Sequence, residues 1–140
     1  MKFSEVEEST WTELQPYLDT CLIPYTGLNG EEVPWEATAA LERLRDFMDL
    51  VEIPFKGRIV TYPALQYRAP EAYQMLDEIC EKVKKTGFKY VVIITSDIEM
   101  TNDDVPNSTL VLSQKELESH SKVSLKSAVS VQISQMWRDQ

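Results

Sequence analysis

The feature that most constrains this chain is the run Tyr90-Val91-Val92-Ile93-Ile94-Thr95, entered from Gly87-Phe88-Lys89 and left through Ser96-Asp97. It is apolar throughout instead of alternating, the pattern of a strand covered on both faces, and such strands belong to sheets clothed by helices on either side. The covering helices are legible nearby. From Pro34 onward, Ala37, Ala40, Leu41, Leu44, Phe47, Met48 and Val51 form one stripe of period 3.6, opposed by Glu36, Glu42, Arg43, Arg45 and Asp49. After Pro70, which suits a first helical turn, Ala72, Leu76, Ile79, Cys80 and Val83 form a second stripe. Gly87 is placed to close that helix in the left-handed conformation.

Shorter signals complete the order. Thr10 and Glu13 have capping-box spacing ahead of Leu14 and Leu18, which predicts a first helix reaching about Asp19 with a kink or late start at Pro16. Cys21 to Tyr25 reads as a strand leading into the loop Thr26 to Gly30, and Pro24 places it near an edge or marks its end. Arg58 to Tyr62 is β-branched and aromatic and is stopped by Pro63, while Thr109 to Leu112 is a brief last strand before a capping box at Ser113 and Glu116. Leu125, Val129, Ile133 and Trp137 share one face of a closing helix. Helices between strands imply right-handed crossovers, so the expected fold is α/β, three-layer, with a mostly parallel sheet of about four strands and helices on both faces. The last strand follows a connection near the minimum for a crossover, which leaves open parallel or antiparallel pairing at an edge. At 140 residues the chain is read as one domain, 1–140.

Charge narrows the partners. Fourteen basic against twenty-three acidic side chains leave a net charge of -9, a surface that repels phosphate backbones and anionic headgroups, so neither nucleic acid nor membrane is an expected partner. No stretch approaches the roughly 20 apolar residues of a membrane span, and Met1 to Glu8 turns acidic where a signal peptide turns apolar, so a cytoplasmic location is expected. Cys21 and Cys80 lie within apolar patterns and read as reduced core thiols. With one histidine and no Cys-x-x-Cys, no metal set and no cofactor is expected, and Asn107-Ser108-Thr109 matches the glycosylation pattern only by coincidence. Trp11, Trp35 and Trp137 are read as core-packing residues and His120 as a surface residue.

Ligands of open parallel sheets bind beyond the carboxyl ends of the strands. Inspecting those positions gives a candidate crevice of Tyr25, Glu31, Glu32, Tyr62, Tyr67, Arg68, Ser96 and Asp97, a rim of carboxylates, hydroxyls and phenols with one guanidinium. The familiar catalytic signatures are missing from it. The acidic loop 97–104 lacks the glycine and the closing glutamate of an EF-hand, no nucleophile-elbow glycines surround Ser96, and no lysine follows Gly27 and Gly30 to reach a phosphate.

Two resemblances bear on this reading. With Asp19-Thr20-Cys21-Leu22-Ile23-Pro24 and Phe55-Lys56-Gly57-Arg58-Ile59-Val60-Thr61-Tyr62-Pro63, the chain resembles, over most of its length, a small family from Bacillus-type Gram-positive bacteria known as a domain of unknown function. That likeness implies a bacterial cytosolic origin and assigns no functional residue. The order Leu22-Ile23-Pro24 to Glu31-Glu32, Tyr62-Pro63 to Tyr67, then Gly87-Phe88-Lys89-Tyr90-Val91 is similar to the creatinine amidohydrolase family. This second resemblance implies a two-metal hydrolysis, but the loops carry no histidine and leave only Glu31, Glu32 and Asp97 as oxygen ligands. The expectation is therefore a non-catalytic cytosolic module binding a small molecule or a protein partner. The alternative is a metal-assisted hydrolase of a small amide or ester, with Tyr62 or Tyr67 positioning the substrate. A third possibility, a purely partner-binding protein, would show an exposed apolar patch around Met136 and Trp137.

Overall fold

A computed structural model describes residues 1–139. Five strands form the sheet: β1 (Thr20–Leu28), β2 (Ile59–Thr61), β3 (Leu65–Tyr67), β4 (Tyr90–Thr95) and β5 (Leu110–Ser113). The path runs β2-β1-β4-β5, with β3 also on β1, and every pairing is parallel. Thr20 lies opposite both Ile59 and Tyr90, and Val92 lies opposite Leu110. The last strand is thus parallel, and it occupies an edge.

Five α-helices surround the sheet: α1 (Glu8–Leu14), α2 (Pro34–Glu52), α3 (Ala72–Lys84), α4 (Gln114–His120) and α5 (Leu125–Arg138). Alternation along β1 and β4 divides the core in two. Cys21, Ile23, Tyr25, Val91 and Ile93 face Leu76, Cys80 and Val83 of α3, with Trp11 and Leu14 of α1 beside them. Leu22, Val92 and Ile94 face Leu44, Phe47 and Val51 of α2 and Val129 and Ile133 of α5. This is the three-layer arrangement that the apolar run 90–95 required, and all six of its residues are buried.

Several local expectations are corrected. Helix α1 starts at Glu8 and ends at Leu14, so Thr10 does not cap it; its hydroxyl donates instead to the Glu7 carbonyl at 3.2 Å. Pro24 neither ends β1 nor lies on an edge. The Leu22 carbonyl accepts from the Tyr62 amide, so the backbone of Leu22, and two residues on that of Pro24, faces the β2 side. There β2 has ended at Thr61 and β3 has not begun until Leu65, so the absent N–H falls where the ladder is broken. Strand β3, hidden in a segment read as loop, raises the count to five. Gly87 adopts φ +115° after α3 as expected, and Ser113 caps α4 by accepting from the Glu116 amide at 3.3 Å.

The tryptophans divide. Trp11 packs on Phe88 with ring centroids 5.7 Å apart, and Trp137 stands edge-on to Phe55 at 5.1 Å. Trp35 is 73% exposed, in the first turn of α2, and Leu41 also faces outward despite its place in the stripe. Met136 is buried, so it contributes to no exposed patch. His120 is exposed and approaches Glu116 at 3.0 Å. No helix among the described residues is long and apolar enough to cross a membrane.

Candidate functional site

Strand β1 is long enough to carry its end past β2 and to receive β3, with Tyr25 opposite Leu65 and Leu28 opposite Tyr67. The Arg68 amide donates to the Leu28 carbonyl at 2.8 Å, which pins Arg68 beside the carboxyl end of β1. Ala69 and Pro70 then turn the chain into α3, whose amides no side chain caps. Between these pieces lies a cleft of about 200 Å³ lined by Tyr25, Arg68, Ala69, Pro70, Tyr73 and Ile98. Gly27 permits it: at φ +74°, a Cβ there would lie 2.5 Å from the Ile98 Cγ1.

Tyr25 is 1% exposed and meets Tyr73 edge-to-face, with centroids 6.3 Å apart. Burial raises both phenols above the ordinary tyrosine value; the neighbouring Tyr73 adds to this for Tyr25, and Asp104 adds to it for Tyr73, while Arg68 pulls both back. Both hydroxyls therefore keep their protons at neutral pH. Among the described residues neither hydroxyl has a hydrogen-bond partner, and the Arg68 guanidinium has neither hydrogen bond nor ion pair.

The other expected site residues separate into groups. Asp97 is held by Arg43 of α2, whose hydrogen bonds keep the carboxyl below its ordinary range, with Lys115 and Arg68 adding to the effect. Glu32 is half-buried and accepts from the amides of Asn29 at 2.9 Å and Gly30 at 3.0 Å, which lower its pKa, with a further contribution from Arg68. Ser96 is buried and donates to the Gln114 Oε1 at 2.8 Å. Glu31 is exposed, its amide donating to the Asn29 side chain. Tyr67 is 61% exposed on β3. Tyr62 does not line this cleft: it packs on Phe3 and on Phe88, the latter at 5.3 Å, and borders a separate pocket with Pro24, Thr26 and Gln66.

Of the eight expected residues, then, Tyr25 and Arg68 form the cleft, and Glu32 and Asp97 lie within electrostatic reach of Arg68. Glu31, Glu32 and Asp97 do not converge as an oxygen-ligand set; among the described residues no three His, Cys, Asp or Glu side chains are grouped to hold a metal. Tyr73, Ile98 and Arg43 were missed. Tyr73 had a signal, because a crossover helix begins at the carboxyl end of the sheet and Pro70 marks that beginning. Arg43 had none, since nothing in the polar face of α2 distinguishes it from Arg45.

A protein-family model described as protein of unknown function (DUF2487) matches residues 9–138, and the chain belongs to that family. No curated protein and no solved structure matches it, so the similarity to creatinine amidohydrolases rests on the sequence segments alone.

Proposed function

We propose that this chain is a non-catalytic module that binds a small molecule in the cleft at the carboxyl end of β1. One observation carries the reading. Three groups of the rim that could act as nucleophile or base are already engaged, Ser96 by Gln114, Asp97 by Arg43 and Glu32 by two backbone amides, and Glu31 does not line the cleft. Arg68, Tyr25 and Tyr73 are not, and they converge on one concave, partly apolar space. A cytoplasmic setting belongs to the proposal, since both thiols are free and buried. A protein partner is the weaker alternative because Met136 is covered.

A thermal-shift screen against small metabolites tests this. The expected result is stabilisation by a subset of compounds, lost in Arg68→Met, with no turnover of amides or esters. Hydrolysis of such a substrate that disappears in Glu32→Ala or Asp97→Ala would overturn the proposal, as would stabilisation that survives in Arg68→Met.

A further inference from the structure

Resting on that reading of the cleft, we infer that its ligand class is a small organic monocarboxylate, its carboxylate held by Arg68 and the hydroxyls of Tyr25 and Tyr73. The donors decide the sign of the ligand. A guanidinium has no acceptor, and two protonated phenols beside it present O–H groups that an anion can use. Tyr25 is the telling member: its residue is 1% exposed, it lines the cleft, and among the described residues its hydroxyl makes no hydrogen bond. Among the described residues the buried side-chain oxygens without a partner are those of Tyr90 and Thr95, so the Tyr25 hydroxyl keeps access to the cleft that its residue lines, where a bound group can reach it. Behind these groups α3, 13 residues long and uncapped by any side chain, adds the positive end of its dipole next to Ala69 and Pro70.

The surrounding charges limit how negative the ligand can be. Glu32 feels Arg68 and Tyr73 feels Asp104, while Asp97, also within reach of Arg68, is paired with Arg43. One unpaired guanidinium against two carboxylates at longer range favours a single negative charge over the two of a phosphate. Size and lining point the same way. A cavity of about 150 Å³ accepts benzene, so 200 Å³ accommodates one ring with its carboxylate. Ile98, Ala69, Pro70 and the ring faces of the two tyrosines provide apolar walls for the body of such a molecule.

The test is a titration of the isotope-labelled full chain, followed at the amides of Ala69, Tyr73 and Ile98, with three probes: benzoate, benzamide and inorganic phosphate. Benzoate is expected to shift these amides saturably and to bind about tenfold or more tightly than either other probe. Arg68→Met is expected to weaken benzoate by about tenfold or more, and Tyr25→Phe, which keeps the buried ring, by a smaller factor. Equal affinity for benzamide overturns the carboxylate inference while leaving a small-molecule site in place. Tighter binding of phosphate overturns it in favour of an inorganic anion. If none of the three shifts these amides, and no metabolite stabilises the protein, both the inference and the reading beneath it fail.

Discussion

Arg43 and Asp97, separated by 54 residues, are joined by two nearly parallel hydrogen bonds, Nε to Oδ1 at 2.9 Å and Nη2 to Oδ2 at 2.8 Å. The pair ties the middle of α2 to the turn that follows β4, and so fixes one wall of the rim around the cleft. A planar fork of this kind is specific in direction, which a lysine at position 43 could not reproduce.

Because Arg43 holds the folded-state pKa of Asp97 below its ordinary 3.8, the stability it adds is present above that value and is lost as pH falls through the lower, folded one. Both side chains retain solvent contact, so Asp97→Asn is expected to cost about 1 kcal/mol or less at pH 7. Urea denaturation of both proteins at pH 7 and below pH 3 checks this. The two curves should draw together in acid; an undiminished gap there would show that the cost of the substitution is not the ion pair.

The thiols of Cys21 and Cys80 are pushed up by burial, that of Cys80 to about 12, with Asp77 adding to the effect. Neither should form a thiolate near neutrality, and neither is open to reagent. A colorimetric thiol titration at pH 8 should find no reactive group in the native protein and both after denaturation. Rapid reaction of either under native conditions would mean that the α3 layer opens locally.

Asn102 guards the free edge of β5. Its Oδ1 accepts the Val111 amide at 2.8 Å and its Nδ2 donates to the Thr109 carbonyl at 3.3 Å, standing in for a further strand. Asn102→Ala should cost about 1 kcal/mol and leave the edge available to a second chain. Denaturation combined with light scattering at rising concentration separates the two effects; a monomeric variant of unchanged stability would refute both.

Gly27→Ala meets two obstacles, a positive φ and the Ile98 side chain. The expected loss is roughly 1–3 kcal/mol, accompanied by weaker ligand binding because Ile98 lines the cleft. Calorimetry with and without benzoate reports both. A variant as stable as the parent would show that Ile98 can move aside.

The layers were readable because they depend on periodicity. The run 90–95, the stripes of α2 and α3 and the face of α5 each repeat a pattern that burial alone imposes. What escaped depends on a single neighbour. Strand β3 spans three residues, too short for alternation to declare itself, and exists because β1 offers an open edge once β2 has ended. Pro24 looked like a terminator because sequence cannot tell which side of a strand lacks a partner. In the cleft, Tyr25 and Arg68 were reached through the rule for strand ends, whereas Arg43 and Ile98 became relevant only through contacts made across the fold.

Trp137 donates its indole N–H to the Thr20 Oγ1 at 2.9 Å, from the last helix to the first residue of the first strand. The two faces of the sheet are consequently completed at different times as the chain leaves the ribosome. Leu18 through Val105 supply the buried residues of the α3 side, so that side can assemble while the remainder is still being made. The other side needs Val129, Ile133 and Met136. Until those residues emerge, α2 alone shelters the backs of Leu22, Val92 and Ile94, and the growing chain carries an apolar surface that a stalled or shortened product would keep.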